Sequence, residues 1–295
     1  SDDGGYVAVF KEGRKKKLKD EREGVESWHE IYPGLAPRIL SYNKSGKSAS
    51  LLIEHLAGQT FEQILLRESP ELLGQALEAL NKTLTSIWKQ TRSKGKVPVD
   101  HMAQLEKRLD GIYSVHPEFQ QGDKQICGTE IVSFETLLRR SADYEQQLNA
   151  PFSVYIHGDF NVDNIIYDPI ENHINFIDLH RSCYSDYVQD ISVFMVSNYR
   201  LQVMDPVMRG RISLVTQRFH DVASRHAGTA GDDSFELRLA LGLARSFATS
   251  TRFILDKSLA RAMFLRSRYL LERVLETDPK RASKFRAPIK EMFIG

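Results

Sequence analysis

Tyr155-Ile-His-Gly-Asp-Phe-Asn-Val-Asp-Asn-Ile-Ile-Tyr167, followed by Phe176-Ile-Asp-Leu179, is the stretch on which the reading of this chain turns. It sets His157, Asp159 and Asn164 at the spacing H-x-D-x-x-x-x-N. A further acid, Asp178, closes the short apolar run after it. Apolar segments on both sides of the polar loop predict strands. One covers 152–156; a hairpin of 165–168 with 173–178 turns around Asp168-Pro169 and Glu171-Asn172. Pairing of the two hairpin arms would bring residues 164 and 178 near each other.

Each of these residue types has a chemistry suited to its place. A carboxylate on a tight loop after a strand can accept the proton of a substrate hydroxyl. An amide oxygen and a second carboxylate on facing arms suit Mg2+, which takes oxygen ligands. Together they form the layout of a phosphoryl-transfer site, where positioning and charge neutralisation do most of the catalysis. Asp159 is the candidate base, and Asn164 and Asp178 are the candidate metal ligands. His157 is read as a brace for the loop through hydrogen bonding. Asp and Asn also gather in turns for purely local reasons. The flanking strands and the acid ending the second arm favour the chemical reading.

The bulk properties agree with a soluble globular chain of 295 residues, with 41% hydrophobic and 27% charged residues. A net charge of +1 argues against a general nucleic-acid binder. The charge is uneven, however: from Arg200 onward there are 18 Lys and Arg against 10 Asp and Glu, and 14 of the cations are Arg. Solvated helix faces account for such a bias, as does a partner carrying negative charge. Two cysteines, Cys127 and Cys183, give no disulfide framework and fit a reducing cytoplasm. Cys183 reads as a small buried thiol. No apolar run approaches the ~18 residues of a membrane span, and no signal peptide opens the chain.

Residues 6–11 read as a strand after a Gly4-Gly5 turn, and 12–20 as a charged turn carrying Arg14-Lys-Lys-Lys17. That basic run is either a solvated loop or an attractor of phosphate. A helix is predicted over 19–32, stopped by Pro33-Gly34, and then two antiparallel strands over 37–42 and 49–54. Helices follow from Thr60, over 70–91 with a continuous apolar face, and more weakly over 100–115 and 130–149. Residues 116–128 read as a polar surface loop. Beyond residue 187 four helices are predicted, over 188–203, 206–226, 234–256 and 258–276. The expectation is an α+β chain with a small β-rich front lobe, 1–57, for nucleotide. A larger helical back lobe, 58–295, would carry the catalytic loop and the acceptor site, and the nucleotide would sit in the cleft between them.

His157-Gly-Asp-Phe-Asn-Val-Asp-Asn164, then Ile177-Asp178, then Ser185-Asp-Tyr-Val-Gln-Asp190 resembles the aminoglycoside phosphotransferase / choline kinase-like family, relatives of the protein kinases. The resemblance runs from about Tyr6 to about Glu276, with 155–190 its specific part. It implies a bilobal protein-kinase-like fold using ATP and Mg2+. By it Asp159 is the base, Asn164 and Asp178 hold Mg2+, and Asp190 braces the catalytic loop from a helix start; Asp163 is read as loop structure. Lys11, in Val7-Ala-Val-Phe-Lys11, matches the lysine that neutralises ATP phosphates. Glu23 matches its pairing glutamate, with Glu21 and Glu26 as competitors. Glu54 and Leu56 match the hinge whose backbone faces adenine.

Two departures stand out. No glycine-rich phosphate-covering loop precedes Lys11, and the front hairpin that would carry it is expected upstream of Ser1. Gly158 stands where regulated protein kinases carry Arg, and 178–190 is too short for an activation loop, so control by loop phosphorylation is not expected. The expected activity is transfer of the ATP γ-phosphate to a hydroxyl of a small molecule. The Arg-rich back lobe (Arg200, Arg209, Arg211, Arg245, Arg252, Arg261, Arg266, Arg268) favours a neutral or anionic acceptor over an aminoglycoside. A kinase acting on a protein and a catalytically silent nucleotide-binding regulator are the alternatives.

Overall fold

The central strand of the front sheet, Ser48–Glu54, alternates half-buried and buried residues along its length, the period-2 pattern of a strand covered on one face. It pairs antiparallel with Ala8–Arg14 on one side and Ile39–Ser45 on the other. Its inward residues Ala49, Leu51 and Ile53 pack with Leu18, and Ile39 and Tyr42 close the cluster. The structure, a computed structural model, describes residues 7–293. The Gly4-Gly5 turn and Tyr6 lie outside the described residues.

The chain divides into two compact units, Ser1–Arg92 with Val154–Ser185 and Ser93–Ser153 with Asp186–Gly295. The architecture is α+β, strand-rich toward the N-terminus and helical toward the C-terminus. In the first unit the strand Ala8–Arg14 runs directly into the helix Lys15–Ile31. The charged turn expected at 12–20 is therefore the end of the strand and the first six residues of the helix. The helix buries Leu18, Glu21, Val25 and Trp28, a stripe at spacings of three and four. The helix Phe61–Arg67 opens with a Thr60/Gln63 capping box. Pro70–Thr91 opens with Ser69 capping and Pro at its first position.

The predicted hairpin is present as Ile165–Asp168 paired with His173–Phe176, extended by Gln59–Thr60. Asp168 Oδ1 accepts the N–H of Ile170 at 2.9 Å, the Asx contact that turns the chain. Trp28 fastens the front helix to this hairpin. Its indole N–H donates to Ser182 Oγ at 2.8 Å, and its ring meets those of Tyr155 and Phe176 edge-on. Gly24 allows the approach: a Cβ there would stand 2.2 Å from Leu179 O.

The second unit holds the helices Val188–Tyr199, Pro206–Ala230, Phe235–Ser250 and Lys257–Leu275. Every residue from Phe235 to Thr249 is buried, so this helix is the unit's core element. The 100–115 segment is two short helices, His101–Glu106 and Leu109–Val115. The polar 116–128 segment contains a 3-10 turn and the strand Lys124–Ile126. Cys183 is exposed rather than buried, because Cys183–Ser185 is an edge strand. Arg238 is fully buried and forks between Asp186, at 2.6 Å, and Asp232, which also accepts the Tyr187 hydroxyl at 2.6 Å.

Two stability measurements test these packings. Gly24→Ala in a helix interior should gain up to ~1 kcal/mol from propensity alone. The Leu179 contact reverses the sign, and a loss of about 1–3 kcal/mol is expected in urea unfolding. Arg238→Met leaves two buried carboxylates facing each other and is expected to cost about 3–5 kcal/mol. A loss under ~1 kcal/mol would mean the network contributes little.

Candidate active site

Both ends of the loop 157–164 are tied to one residue. The buried ring of His157 donates from Nε2 to Ile177 O at 2.9 Å and accepts the N–H of Asp159 at Nδ1, 3.2 Å away. A carbonyl on one nitrogen and an amide donor on the other fix the neutral Nε2–H tautomer. Burial pushes the His157 pKa down to about 4. At the far end, Ile177 N–H donates to Asn164 O at 3.0 Å. Gly158, at φ +81°, lets the backbone pass Arg181, whose carbonyl would lie 2.3 Å from any Cβ at that position.

Asp159 is held on every side. Its backbone carbonyl accepts from the Asn164 side-chain amide at 2.9 Å. Oδ1 accepts from Asn161 Nδ2 at 2.9 Å, and Oδ2 lies 3.2 Å from the Arg181 guanidinium. The carboxylate is partly exposed and its direction is set by two donors. Asn164 donates through its nitrogen, which leaves its amide oxygen as the atom able to bind a cation.

Asp178 sits at φ +61°, a left-handed conformation uncommon outside glycine and tolerated best by Asp and Asn. Around its Oδ1 lie His180 Nδ1 at 3.4 Å, Lys11 Nζ at 3.7 Å and Lys17 Nζ at 3.9 Å. His180 foremost, then the two lysines, hold its carboxyl far below the ordinary carboxylate range, against the opposing effect of burial. Lys11 also pairs with Glu21 Oε1 at 3.0 Å. The other oxygen of Glu21 is buried without a hydrogen-bond partner among the described residues. Ligand atoms of Glu21, Asp178 and His180 all lie within 4.8 Å of one another. An ionised carboxylate, a free amide oxygen and an unsatisfied buried carboxylate oxygen nearby fit a hard divalent cation.

The acid that meets Lys11 is thus Glu21, and the assignment to Glu23 is corrected. Glu21 shares the inward stripe with Leu18, Val25 and Trp28. Two residues later the helix has turned ~200°, and Glu23 pairs with Lys19 in solvent. Glu26 likewise pairs with Arg22. Glu54 ends the central strand, with its carboxylate on Arg38 and its N–H on Arg38 O. Leu56 follows in an irregular segment. Asp190 is buried in the first turn of Val188–Tyr199, and Asp163 is exposed. Arg181, Asn161 and His180 were not singled out as site residues by the sequence, and Lys17 entered only as part of the basic run Arg14–Lys17. Arg181 and His180 follow Asp178 within three positions, the one signal that could have drawn attention to them.

The model of the phosphotransferase enzyme family (APH) matches residues 27–212. No curated protein matches. Among solved structures, the chain is similar to aminoglycoside phosphotransferase APH(3'')-Id from Streptomyces rimosus, solved with ADP and streptomycin. The identity is 19% and the TM-score 0.50, covering 90% of this chain and 86% of that one. An ethanolamine kinase from Plasmodium vivax aligns at 14% identity and a TM-score of 0.45, over 95% of this chain and 78% of that one. An aminoglycoside-3'-phosphotransferase of type VIII aligns at 20% identity and a TM-score of 0.44, over 74% and 80%. The Streptomyces likeness gives the chain a protein-kinase-like fold. With the family match spanning most of the chain, this protein belongs to the phosphotransferase enzyme family.

Proposed function

We propose that this phosphotransferase moves the γ-phosphate of ATP, with Mg2+, to a hydroxyl of a small molecule. The observation that carries the reading is that two carboxylates stand in different surroundings, one on the braced loop and one just past the hairpin that follows it. Asp159 is oriented by amide and guanidinium donors; Asp178 is surrounded by cations. Groups kept apart in this way suit different roles. Asp159 accepts the acceptor's hydroxyl proton as the new O–P bond forms and the bond to the ADP oxygen breaks, and later releases that proton to solvent. Asp178 and the Asn164 amide oxygen are the residues that would hold Mg2+, which when bound neutralises phosphate charge. Lys11, kept in place by Glu21, binds the phosphates nearer the nucleoside, and backbone groups at Glu54 and Leu56 receive the base. His157 holds the loop and takes no proton in the reaction.

The expectation of a neutral or anionic acceptor stands on composition. Within the second unit, Arg245 bonds Gln189 and Ser192, while Arg209, Arg252, Arg266 and Arg268 bond backbone carbonyls. The acceptor is therefore best identified by a hydroxyl-compound panel with labelled ATP.

Asp159→Asn is expected to lower kcat by about 10²–10⁴-fold while nucleotide binding persists. Asp178→Asn is expected to weaken the Mg2+-dependent part of nucleotide binding, measured by calorimetry with and without the metal. Unchanged turnover in both variants would exclude these roles for the two carboxylates. A pH series tests His157. Its folded pKa lies below the ordinary value, so the unfolded chain takes up the proton first. Its contribution is present above about pH 6.5 and is lost as pH falls toward 4. The urea midpoint of the native protein should drop across that window, and His157→Asn should flatten the drop.

A further inference from the structure

The first turn of the helix Lys15–Ile31 carries three consecutive lysines after Arg14, with no acid and no side-chain cap. Cations at the positive end of a helix dipole are unfavourable, and anions are favoured there. Lys15 and Lys16 are exposed. Lys17, also exposed, brings its ammonium to 3.9 Å from Asp178 Oδ1, where Lys11 stands at 3.7 Å and His180 at 3.4 Å. Lys11 has a second acid, Glu21. Among the described residues, Asp178 is the one acid within ion-pair distance of Lys17. Lys11 thus keeps an acid of its own when it leaves Asp178, and Lys17 does not.

We infer that Lys17 is a second phosphate-binding lysine, and that Lys11 and Lys17 together hold Asp178 closed to a free divalent cation until phosphate arrives with it. The inference rests on the nucleotide reading above. A divalent cation entering alone must move both ammoniums off Asp178, leaving Lys11 with Glu21 and Lys17 with no acid beside a doubly charged ion. A cation entering with a nucleoside triphosphate supplies the partner, since the phosphate oxygens accept the lysines that Asp178 releases. Metal and nucleotide are then positively coupled, and the coupling is reciprocal.

Lys17 should therefore act in opposite directions on two separate equilibria. Removing its charge frees Asp178 for metal alone and takes a cation from the phosphates. A lysine that only solubilises the surface would move neither equilibrium, and one that only supports the fold would weaken both. The test uses the full chain with Lys17→Met and Lys17→Arg. Free Mn2+ is counted by electron paramagnetic resonance, and a non-hydrolysable ATP analogue with Mg2+ is titrated by calorimetry. In Lys17→Met, Mn2+ alone is expected to bind about 3–10-fold more tightly, and the Mg2+–analogue complex about 5–10-fold more weakly. Lys17→Arg should restore both toward the native values. Equal or same-direction changes in Lys17→Met overturn the inference while leaving the function standing. A native protein that binds no analogue with Mg2+ removes the function and this role together.

Discussion

Ile177 uses both of its backbone groups to hold the loop 157–164: its carbonyl accepts from His157, and its N–H donates to Asn164. The N–H bond continues the hairpin register one step past the Phe176–Ile165 pair, while the carbonyl leaves the ladder for His157. Asp178 is the next residue along the chain. The carboxylate among the cations and the carboxylate on the loop are therefore both placed through Ile177. Any shift of the hairpin arm would displace both together.

That rigidity explains why Asp178 can persist in a left-handed conformation. Such a backbone costs of order 1 kcal/mol or more for a non-glycine residue and lasts only where its surroundings over-determine it. Leu179, buried immediately after it, packs its carbonyl against Gly24. Ile177, before it, is bonded on both sides. With both neighbours fixed, Asp178 has little freedom except to turn its carboxylate toward Lys11, Lys17 and His180. Glycine at position 24 and the αL aspartate at 178 are thus parts of one device, although they lie far apart in sequence.

The loop and its hairpin were legible in the sequence because their determinants are local. The spacing from His157 to Asn164, the apolar arms and the Asp168 turn all act within a few residues of themselves. Glu21 was harder to choose. Which of three glutamates faces inward depends on the helical phase. The helix begins at Lys15, immediately after the strand, not after a turn. With Leu18, Val25 and Trp28 in one stripe, Glu21 follows; with a later start the phase is loose. The Ser93–Pro98 strand carries Gly, Pro and two lysines and pairs with Asn149–Ile156, so its local propensity argued against it. Arg181 meets Asp159 through a contact 22 positions distant, which no periodicity in the sequence signals.

Charge counts mislead for a related reason. The cation excess beyond Arg200 suggests a positively charged acceptor surface, yet a guanidinium carries five donors in a planar fork, and folds use it to satisfy buried oxygens. Arg238 is enclosed by Asp186 and Asp232 and contributes no surface potential of its own sign. Arg245 is buried against Gln189 and Ser192. Arg266 and Arg209 both lie over the Tyr199 ring while bonding carbonyls. An excess of arginine in a helical unit can thus describe how its helices are fastened. Lys17 shows the converse: an exposed lysine in a basic run stands 3.9 Å from Asp178, one of the acids proposed to hold the metal. The cations nearest the two carboxylates, Lys11 and Lys17 at Asp178 and Arg181 at Asp159, are distinguished by where the loop and its hairpin place those acids.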